Sequence, residues 1–392
     1  MNSFPFSRRR FTFALLAALG ARHLIAADRP KLRAAILGHT GEGDYGHGFD
    51  VIFNDLPGLE VVALADPDEA GRTKAAEQSK AARQYADWRE LLGKEKPQLV
   101  CLASRWTHER HAMGMAALRV GAHLITEKPF TTTLAEADEL LTTADRAGLK
   151  IAVAHQMRLA PSIVNLKKAI GDGLLGDLLE LRAWGKQDEA RSGGEDMIVL
   201  GTHVFDLMRL FAGDVEFCTA RVLQGGRELT HADARKVKER IGPIAGDEVT
   251  AQFGFTNGVN GTFTSRKRLR EPVGHWGIEL IGSKTSVRIL CDVYPAVHVL
   301  KRGSWNAEGR TDQWQRFEGD PASVPAADRG FGPANRRLVE DWLDAIEKNR
   351  EPVCSGLNAT KSLEMVMAVY HAALSGGRVA LPLKDRSHPL GA

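Results

Sequence analysis

An apolar run that enters a glycine-dense turn, followed by a second run that ends in an acid, constrains this chain more than any other feature. The first run, Leu32 to Leu37, leads into Gly38-His-Thr40-Gly41-Glu-Gly43-Asp-Tyr-Gly46, and the second, Val61 to Ala65, ends in Asp66. That order predicts a strand, a turn whose backbone N–H groups can surround a pyrophosphate, a helix, and a second strand whose terminal acid can hold a ribose hydroxyl. Glycines are needed in the turn because side chains would obstruct the approach of the phosphates. Two registers are available. One runs Gly38-x-Thr40-x-x-Gly43, with threonine at the middle glycine, and the other is the literal Gly41-x-Gly43-x-x-Gly46, which begins three residues late. The first is adopted, with an enlarged loop. An acid such as Asp66 repels a 2′-phosphate and accepts from a 2′-hydroxyl, so NAD is expected rather than NADP.

A third strand-like run, Gln98 to Ala103, leads to Ser104-Arg-Trp-Thr-His108. A helical stretch from His111 to Val120 follows, then a fourth run, Ala122 to Thr126, ending in Glu127-Lys128-Pro129. Strands alternating with helices imply a parallel sheet with crossover helices. Ligands of such sheets sit beyond the carboxyl ends of the strands, where Gly41, Asp66, Ser104 and Lys128 would share one cleft.

These motifs, with His155-Gln156-Met157-Arg158, Pro161, Gly201-Thr-His203-Val-Phe-Asp206 and the tail from Glu351-Pro352 to Pro382, resemble the Gfo/Idh/MocA family of glucose-fructose oxidoreductases and inositol dehydrogenases. The resemblance runs from about Lys31 to Leu383. It implies an α/β protein: an N-terminal Rossmann dinucleotide-binding domain plus a C-terminal α/β domain with an open, largely antiparallel sheet, and NAD between them. The expected boundaries are 28–155 for the NAD-binding domain and 156–392 for the substrate and oligomerisation domain. The resemblance also implies cofactor contacts from Gly38, Thr40, Gly41, Gly43, Asp66, Ser104, His108, Glu127 and Lys128. Lys128 and His203 stand at the positions of the family's lysine and histidine beside the reacting hydroxyl, with His155, Arg158 and Asp206 as substrate or supporting residues.

One departure stands out. Where the family commonly has Asp-x-Gly-x-His, this chain has Val199-Leu200-Gly201-Thr202-His203, so the acid that orients the imidazole and raises its pKa is missing. Glu195 or Asp196, one turn earlier, is the candidate replacement. Hydride removal from a sugar carbon needs a base for the hydroxyl proton. An ordinary lysine at about 10.4 is too basic near neutral pH, although burial and a positive cofactor ring lower it, while a histidine near 6.5 is suited. The assignment adopted is Lys128 polarising the oxygen and His203 carrying the proton, with the reverse open. His108 is open between a cofactor contact and a hydrogen bond at a helix start, and His47 is expected to face solvent.

Beyond Arg158 the pattern turns strand-rich, with runs at 178–184, 215–223, 248–255, 259–265, 277–281, 286–290 and 297–301, and hairpin turns at Asn257-Gly258 and Gly282-Ser-Lys284. Helices at 202–211 and 335–348 are expected to cover one face of this sheet. The other face would need a second copy of the chain, so a homo-oligomer is expected. Residues 225–246 read as a long charged loop with a short helix. The four cysteines, Cys101, Cys218, Cys291 and Cys354, have no paired spacing, so no zinc or other metal site is expected, and Cys101 reads as a buried small hydrophobe in a strand.

At the N-terminus, Ser7-Arg8-Arg9-Arg10-Phe11, the apolar run from Phe13 to Ala21 and Ile25-Ala26-Ala27 match a twin-arginine signal with a cleavage site before Asp28. So short a run cannot span a bilayer, and no membrane anchor is expected after processing. Removing residues 1–27 takes away four of the 52 basic residues and none of the 49 acidic ones, which turns the formal +3 into −1. No nucleic-acid or membrane-surface partner follows from that charge. The reading is an exported, periplasmic oxidoreductase holding NAD tightly and acting on a secondary hydroxyl of a sugar, glycoside or cyclitol. Two alternatives stand beside it: redox-neutral cleavage, elimination or epimerisation with internal recycling of NAD, and a non-catalytic sugar-binding protein. Replacing Arg8 and Arg9 by lysine is expected to trap the precursor in the cytoplasm. Cell fractionation checks this, and unchanged export would remove the signal from the reading.

Overall fold

The computed structural model describes residues 30–188, 191–267, 276–300, 314–317 and 329–391, so the predicted signal peptide lies outside the described residues. The first domain runs β1 (Leu32–Leu37), β2 (Leu59–Ala65), α1 (Glu69–Ser79), β3 (Arg83–Tyr85), α2 (Trp88–Glu95), β4 (Leu99–Leu102), α3 (Arg110–Arg119), β5 (His123–Thr126), α4 (Leu134–Ala147) and β6 (Ile151–Val153). Its strands pair in the parallel order β3-β2-β1-β4-β5-β6, the doubly wound order that opens a crevice between β1 and β4. The central strands are apolar throughout because both faces are covered: β4, Leu99 to Leu102, is buried at every position, Cys101 included.

The helix expected after the glycine turn does not form regularly. Residues 40–55 wind as successive turns, and positive φ at Gly41, Asp44, Gly43, Gly46 and Gly48 explains why, since an α-helix cannot pass through such residues. The apolar spacing survives, and Phe49, Ile52, Phe53 and Leu56 still bury one face on the sheet.

The second domain contains a 3₁₀ turn (Gln156–Leu159), α5 (Pro161–Gly171), β7 (Leu178–Trp184), α6 (Gly193–Asp196), a π-helical turn (Met197–Gly201), α7 (Thr202–Ala212), β8 (Val215–Gln224) and β9 (Arg227–Glu228). There follow β10 (Arg235–Lys236), β11 (Pro243–Ile244), β12 (Glu248–Phe255), β13 (Asn260–Arg266), β14 (Gly277–Gly282), β15 (Ser286–Leu290), β16 (Ala296–Leu300), β17 (Trp314–Arg316), α8 (Phe331–Glu347), α9 (Gly356–Ser375) and β18 (Val379–Ala380). The large sheet has the order β17-β16-β15-β14-β7-β13-β12-β8-β18, with β9 on β8, and among the described strands only β7 and β13 pair in parallel. The region read as a loop at 225–246 holds β9, the short helix predicted there (His231–Asp233), and the β10–β11 ribbon.

Period-two burial sorts the faces of this sheet. Val249, Ala251 and Phe253 of β12 point into the core, and Thr250 and Gln252 point out. The core face packs on α7 and α9, with Phe205 edge-on to Phe253 and Phe263 at 5.4 and 4.9 Å between centroids. The helix predicted at 335–348 was expected here and is instead α8 on the first domain. Its Leu338, Val339 and Trp342 join Ile36, Phe49 and Ile125, and Trp342 Nε1 donates to Lys150 O at 3.3 Å. The stripe of Leu338, Val339 and Trp342 matches the open face left by the irregular 40–55 segment, which is the physical reason for the exchange. Trp342→Ala should therefore loosen the first domain, lowering stability by about 3–5 kcal/mol. Urea denaturation followed separately for the two domains checks which one yields first.

Candidate functional site

The ends of β1, β2, β4 and β5 bring the glycine turn, Asp66, Ser104 and Glu127-Lys128 to one rim. Gly38 N donates to Ala65 O at 2.9 Å, which fixes the start of the turn beside the end of β2. Gly43, at φ +98°, is required by space as well as by conformation, because a Cβ there would stand 2.4 Å from Ser104 Oγ and 2.7 Å from Trp106 N. Ser104 Oγ in turn donates to Glu42 O at 2.7 Å, so Ser104 holds the turn rather than facing open space. His108 packs there too: its Nε2 is 3.5 Å from Glu42 Oε2, and it makes no cap, the N-cap of α3 being Glu109.

Asp66 stands at the end of β2 as predicted, but its carboxylate is wholly buried and engaged. It accepts from Thr40 N at 3.0 Å, Thr40 Oγ1 at 2.7 Å and Asp68 N at 2.9 Å. The threonine in the middle-glycine position thus occupies the acid that was expected to meet a ribose. A ribose hydroxyl reaches Asp66 only by taking over Thr40's bonds.

Glu127, at the end of β5, is the most constrained acid of the rim. Its Oε1 accepts from His47 Nδ1 at 2.6 Å and from His47 N at 3.2 Å, and its Oε2 from Lys128 N at 3.0 Å. Burial pushes its pKa up, but the hydrogen bond and charge of His47, with Lys128 and Arg110, outweigh that and hold it at about 2. His47, expected to face solvent, is thus only partly open to it. Its side chain is 32 % exposed, stacked on Phe331 at 4.4 Å, with Asn335 Nδ2 donating to its carbonyl at 2.8 Å.

The second domain closes over this rim. Between the domains lies a cavity of about 240 Å³ lined by His47, Glu127, Lys128, Met157, Lys186, Arg191, Leu200, His203, Trp276, Asp292 and Phe331, among others. Lys128 Nζ donates to Val199 O at 3.3 Å. Burial lowers the Lys128 pKa. His203 is pushed well below the usual histidine range, first by burial and then by Lys128, His155 and His47, and its buried Nδ1 has no hydrogen-bond partner among the described residues. Val199 is the reason, since its buried side chain offers no acceptor. The acids one turn earlier do not replace it. Asp196 Oδ2 accepts from Ser265 Oγ at 2.6 Å and Gln187 N at 3.2 Å, and Glu195 faces Arg191 and Arg235.

The remaining predicted residues form the hinge beneath. Arg158 Nε donates to Asp206 Oδ2 at 2.6 Å, and His155 Nδ1 lies 3.8 Å from Asp206 Oδ1. His155 packs edge-on to His203 at 5.2 Å, and burial, partly offset by Asp206, lowers its pKa to about 4. Asp206 and Arg158 thus support the junction from within, and both imidazoles are neutral at pH 7.

Residues 32–155 match the oxidoreductase family's NAD-binding Rossmann fold, and residues 175–381 match its C-terminal alpha/beta domain. The chain belongs to the Gfo/Idh/MocA oxidoreductase family. A D-apiose dehydrogenase of Paraburkholderia graminis is 26% identical over 389 residues, covering 95% of this chain and 97% of that one. The crystal structure of an NAD-binding oxidoreductase from Klebsiella pneumoniae superposes with a TM-score of 0.72 at 22% identity, over 91% of this chain and 100% of that one. A levoglucosan dehydrogenase in complex with NADH and levoglucosan gives 0.73 at 20% identity, over 90% and 99%. As a member of this Gfo/Idh/MocA family the protein is an oxidoreductase with an NAD-binding Rossmann domain. Its own residues fit that cofactor at two places. The Gly43 cradle leaves no room for a Cβ while Gly41 is open on its outer side, and the cavity beyond collects Lys128 and His203. Aromatic walls and the His47–Glu127 pair were not legible as site features; the one usable signal was the position of His47 directly after Gly46.

Because the Glu127 pKa is depressed in the fold, its contribution is fully present above about pH 4.5 and is lost as the pH falls through about 2. Wild type should exceed Glu127→Gln by about 3 kcal/mol at neutral pH, a difference that shrinks between pH 4.5 and 2. Urea titrations across that range check the sign.

Proposed function

We propose that this protein is an exported, NAD-dependent dehydrogenase acting on a secondary hydroxyl of a sugar, glycoside or cyclitol. The observation that carries the reading is the cavity in which Lys128 of the first domain and His203 of the second face the same space beside the glycine turn. Bound NAD supplies the hydride acceptor. Trp276 and Phe331 offer apolar walls to the C–H faces of a ring, while Lys186, Arg191 and Asp292 offer partners for its hydroxyls. The full-length likeness to a D-apiose dehydrogenase supports a carbohydrate in that space.

The electrostatics favour Lys128 over His203 as the group that takes the hydroxyl proton, the reverse of the assignment adopted from sequence. A buried amine with a lowered pKa is shifted toward the neutral, basic form. His203 lacks a carboxylate and stands beside Lys128, so a proton placed on it would be doubly disfavoured. Neutral His203 orients the hydroxyl instead. The same lack of a carboxylate favours, as a second reading, redox-neutral chemistry in which the hydride returns to the product within one cycle. The leader supports export.

Purified protein mixed with NAD and a carbohydrate panel should show absorbance of the reduced cofactor with at least one sugar or cyclitol. Lys128→Ala should lower the rate by roughly 10²–10⁴-fold, and His203→Ala less, with NAD still bound. Activity should rise with pH through the Lys128 titration, because only the neutral amine accepts a proton. Val199→Asp should bring His203 into the titration range by favouring the imidazolium, seen as an added ionisation in the pH–rate profile. A Lys128→Ala variant with unaltered turnover would remove the assignment.

A further inference from the structure

We propose that His47, backed by the buried carboxylate of Glu127, is the acid–base group that carries the reaction's proton between the closed cavity and solvent. The inference rests on the proposed dehydrogenase reading and supplies a step that reading lacks. A proton taken up by Lys128 has to leave again. The Lys128 amine is half-buried, its charged form is disfavoured by burial, and its hydrogen bond runs to Val199 O, which cannot accept a proton. His203 and His155 are worse recipients, because burial disfavours the charge on both.

His47 differs from the other two imidazoles of the site in each respect that matters. It lines the same cavity, yet its side chain is 32 % exposed and reaches solvent. Its Nδ1 bonds a carboxylate at 2.6 Å, an acceptor that is 1 % exposed and remains ionised to about pH 2. That fixes the tautomer, leaves Nε2 as the nitrogen that exchanges protons, and balances the imidazolium when it forms. The ring is held in place by Phe331 at 4.4 Å and by Asn335 on the His47 carbonyl. This is the carboxylate–imidazole pairing that Val199 denies to His203, rebuilt on the opposite wall.

The groups facing His47 come from several elements. Glu127 and Lys128 follow β5, and His203, Lys186, Arg191 and Asp292 line the cavity across from it. Only Glu127 is in direct contact with the ring through a hydrogen bond among the described residues. The substrate O–H and C–H bonds break as its C=O bond forms: the hydroxyl proton goes to the Lys128 amine, the hydrogen on carbon leaves with its electron pair as the hydride that bound NAD would accept, and the ammonium proton passes through His47 Nε2 to water.

His47→Gln and His47→Ala are compared with wild type for NAD affinity, pH–rate profile and rescue by added imidazole, using the best substrate of the panel. NAD affinity should stay within about twofold, turnover should fall by roughly 10–100-fold with loss of one ionisation from the profile, and imidazole should restore His47→Ala. Unchanged turnover and profile overturn the proposal. So does weakened NAD affinity with an unchanged profile, which would make His47 a cofactor holder. Modification by diethyl pyrocarbonate, located by mass spectrometry, needs no substrate: His47 should react while His155 and His203 do not, and an unreactive His47 beside reactive His111 and His231 overturns the proposal. A wild-type protein that oxidises no carbohydrate brings down the proposed function and leaves this last measurement to judge His47.

Discussion

The buried carboxylate of Glu127 is the interaction on which the geometry of the site depends. It ends β5, receives the backbone N–H of Lys128 and so sets where that side chain begins, and draws the glycine turn inward through two bonds from His47. A Cβ at Gly46 would collide with it, at 2.7 Å from Oε1, so the turn closes on this acid only because that residue is glycine. Arg110, buried alongside, donates to Pro129 O and Ser104 O, tying the ends of β4 and β5 into the same unit. An ionised group so deep is tolerable because every oxygen is matched by a donor.

The sequence was legible wherever one physical rule acted alone. Alternation of buried and exposed residues placed β7, β12 and β15 at the predicted bounds, since a strand with one wet face has no other way to sort its side chains. The parallel strands β1, β2, β4 and β5 were equally plain, being apolar on both faces, whereas the parallel edge strand β3 is short, polar and largely exposed and was not foreseen. Legibility failed where two rules competed. The segment after Gly38 has helical spacing in Phe49, Ile52, Phe53 and Leu56, but its glycines and Asp44 adopt positive φ and break the regular helix. The amphipathic pattern of 335–348 correctly gave a helix and could not say which of two sheets its stripe would meet.

The same distinction runs through the site. Lys128 and His203 were identified by position, and the structure brings both to one cavity. The partners of Asp66 and His47 were not identified, because hydrogen bonds between residues 26 and 80 positions apart leave no periodic trace in the sequence. Thr40 shows the limit well. Read as a tolerated substitute for glycine, it turns out to be the donor that satisfies Asp66, and Gly71 is small because Thr40 leans on it, with Oγ1 only 1.9 Å from where a Cβ would be.

A valine at residue 199, beside the imidazole of His203, withholds more than a hydrogen bond. In a buried site an imidazolium without a counter-charge is costly, and here Lys128 adds repulsion, so His203 is confined to its neutral form. Neutral imidazole still donates and accepts, which suffices to orient a hydroxyl but not to store a proton. The rim carries a second imidazole, His47, whose Nδ1 is hydrogen-bonded to the carboxylate that also receives Lys128 N. Val199 and the carboxylate at residue 127 thus set the two walls of the cavity apart: the imidazole of His203 has no acid beside it, and that of His47 is hydrogen-bonded to one.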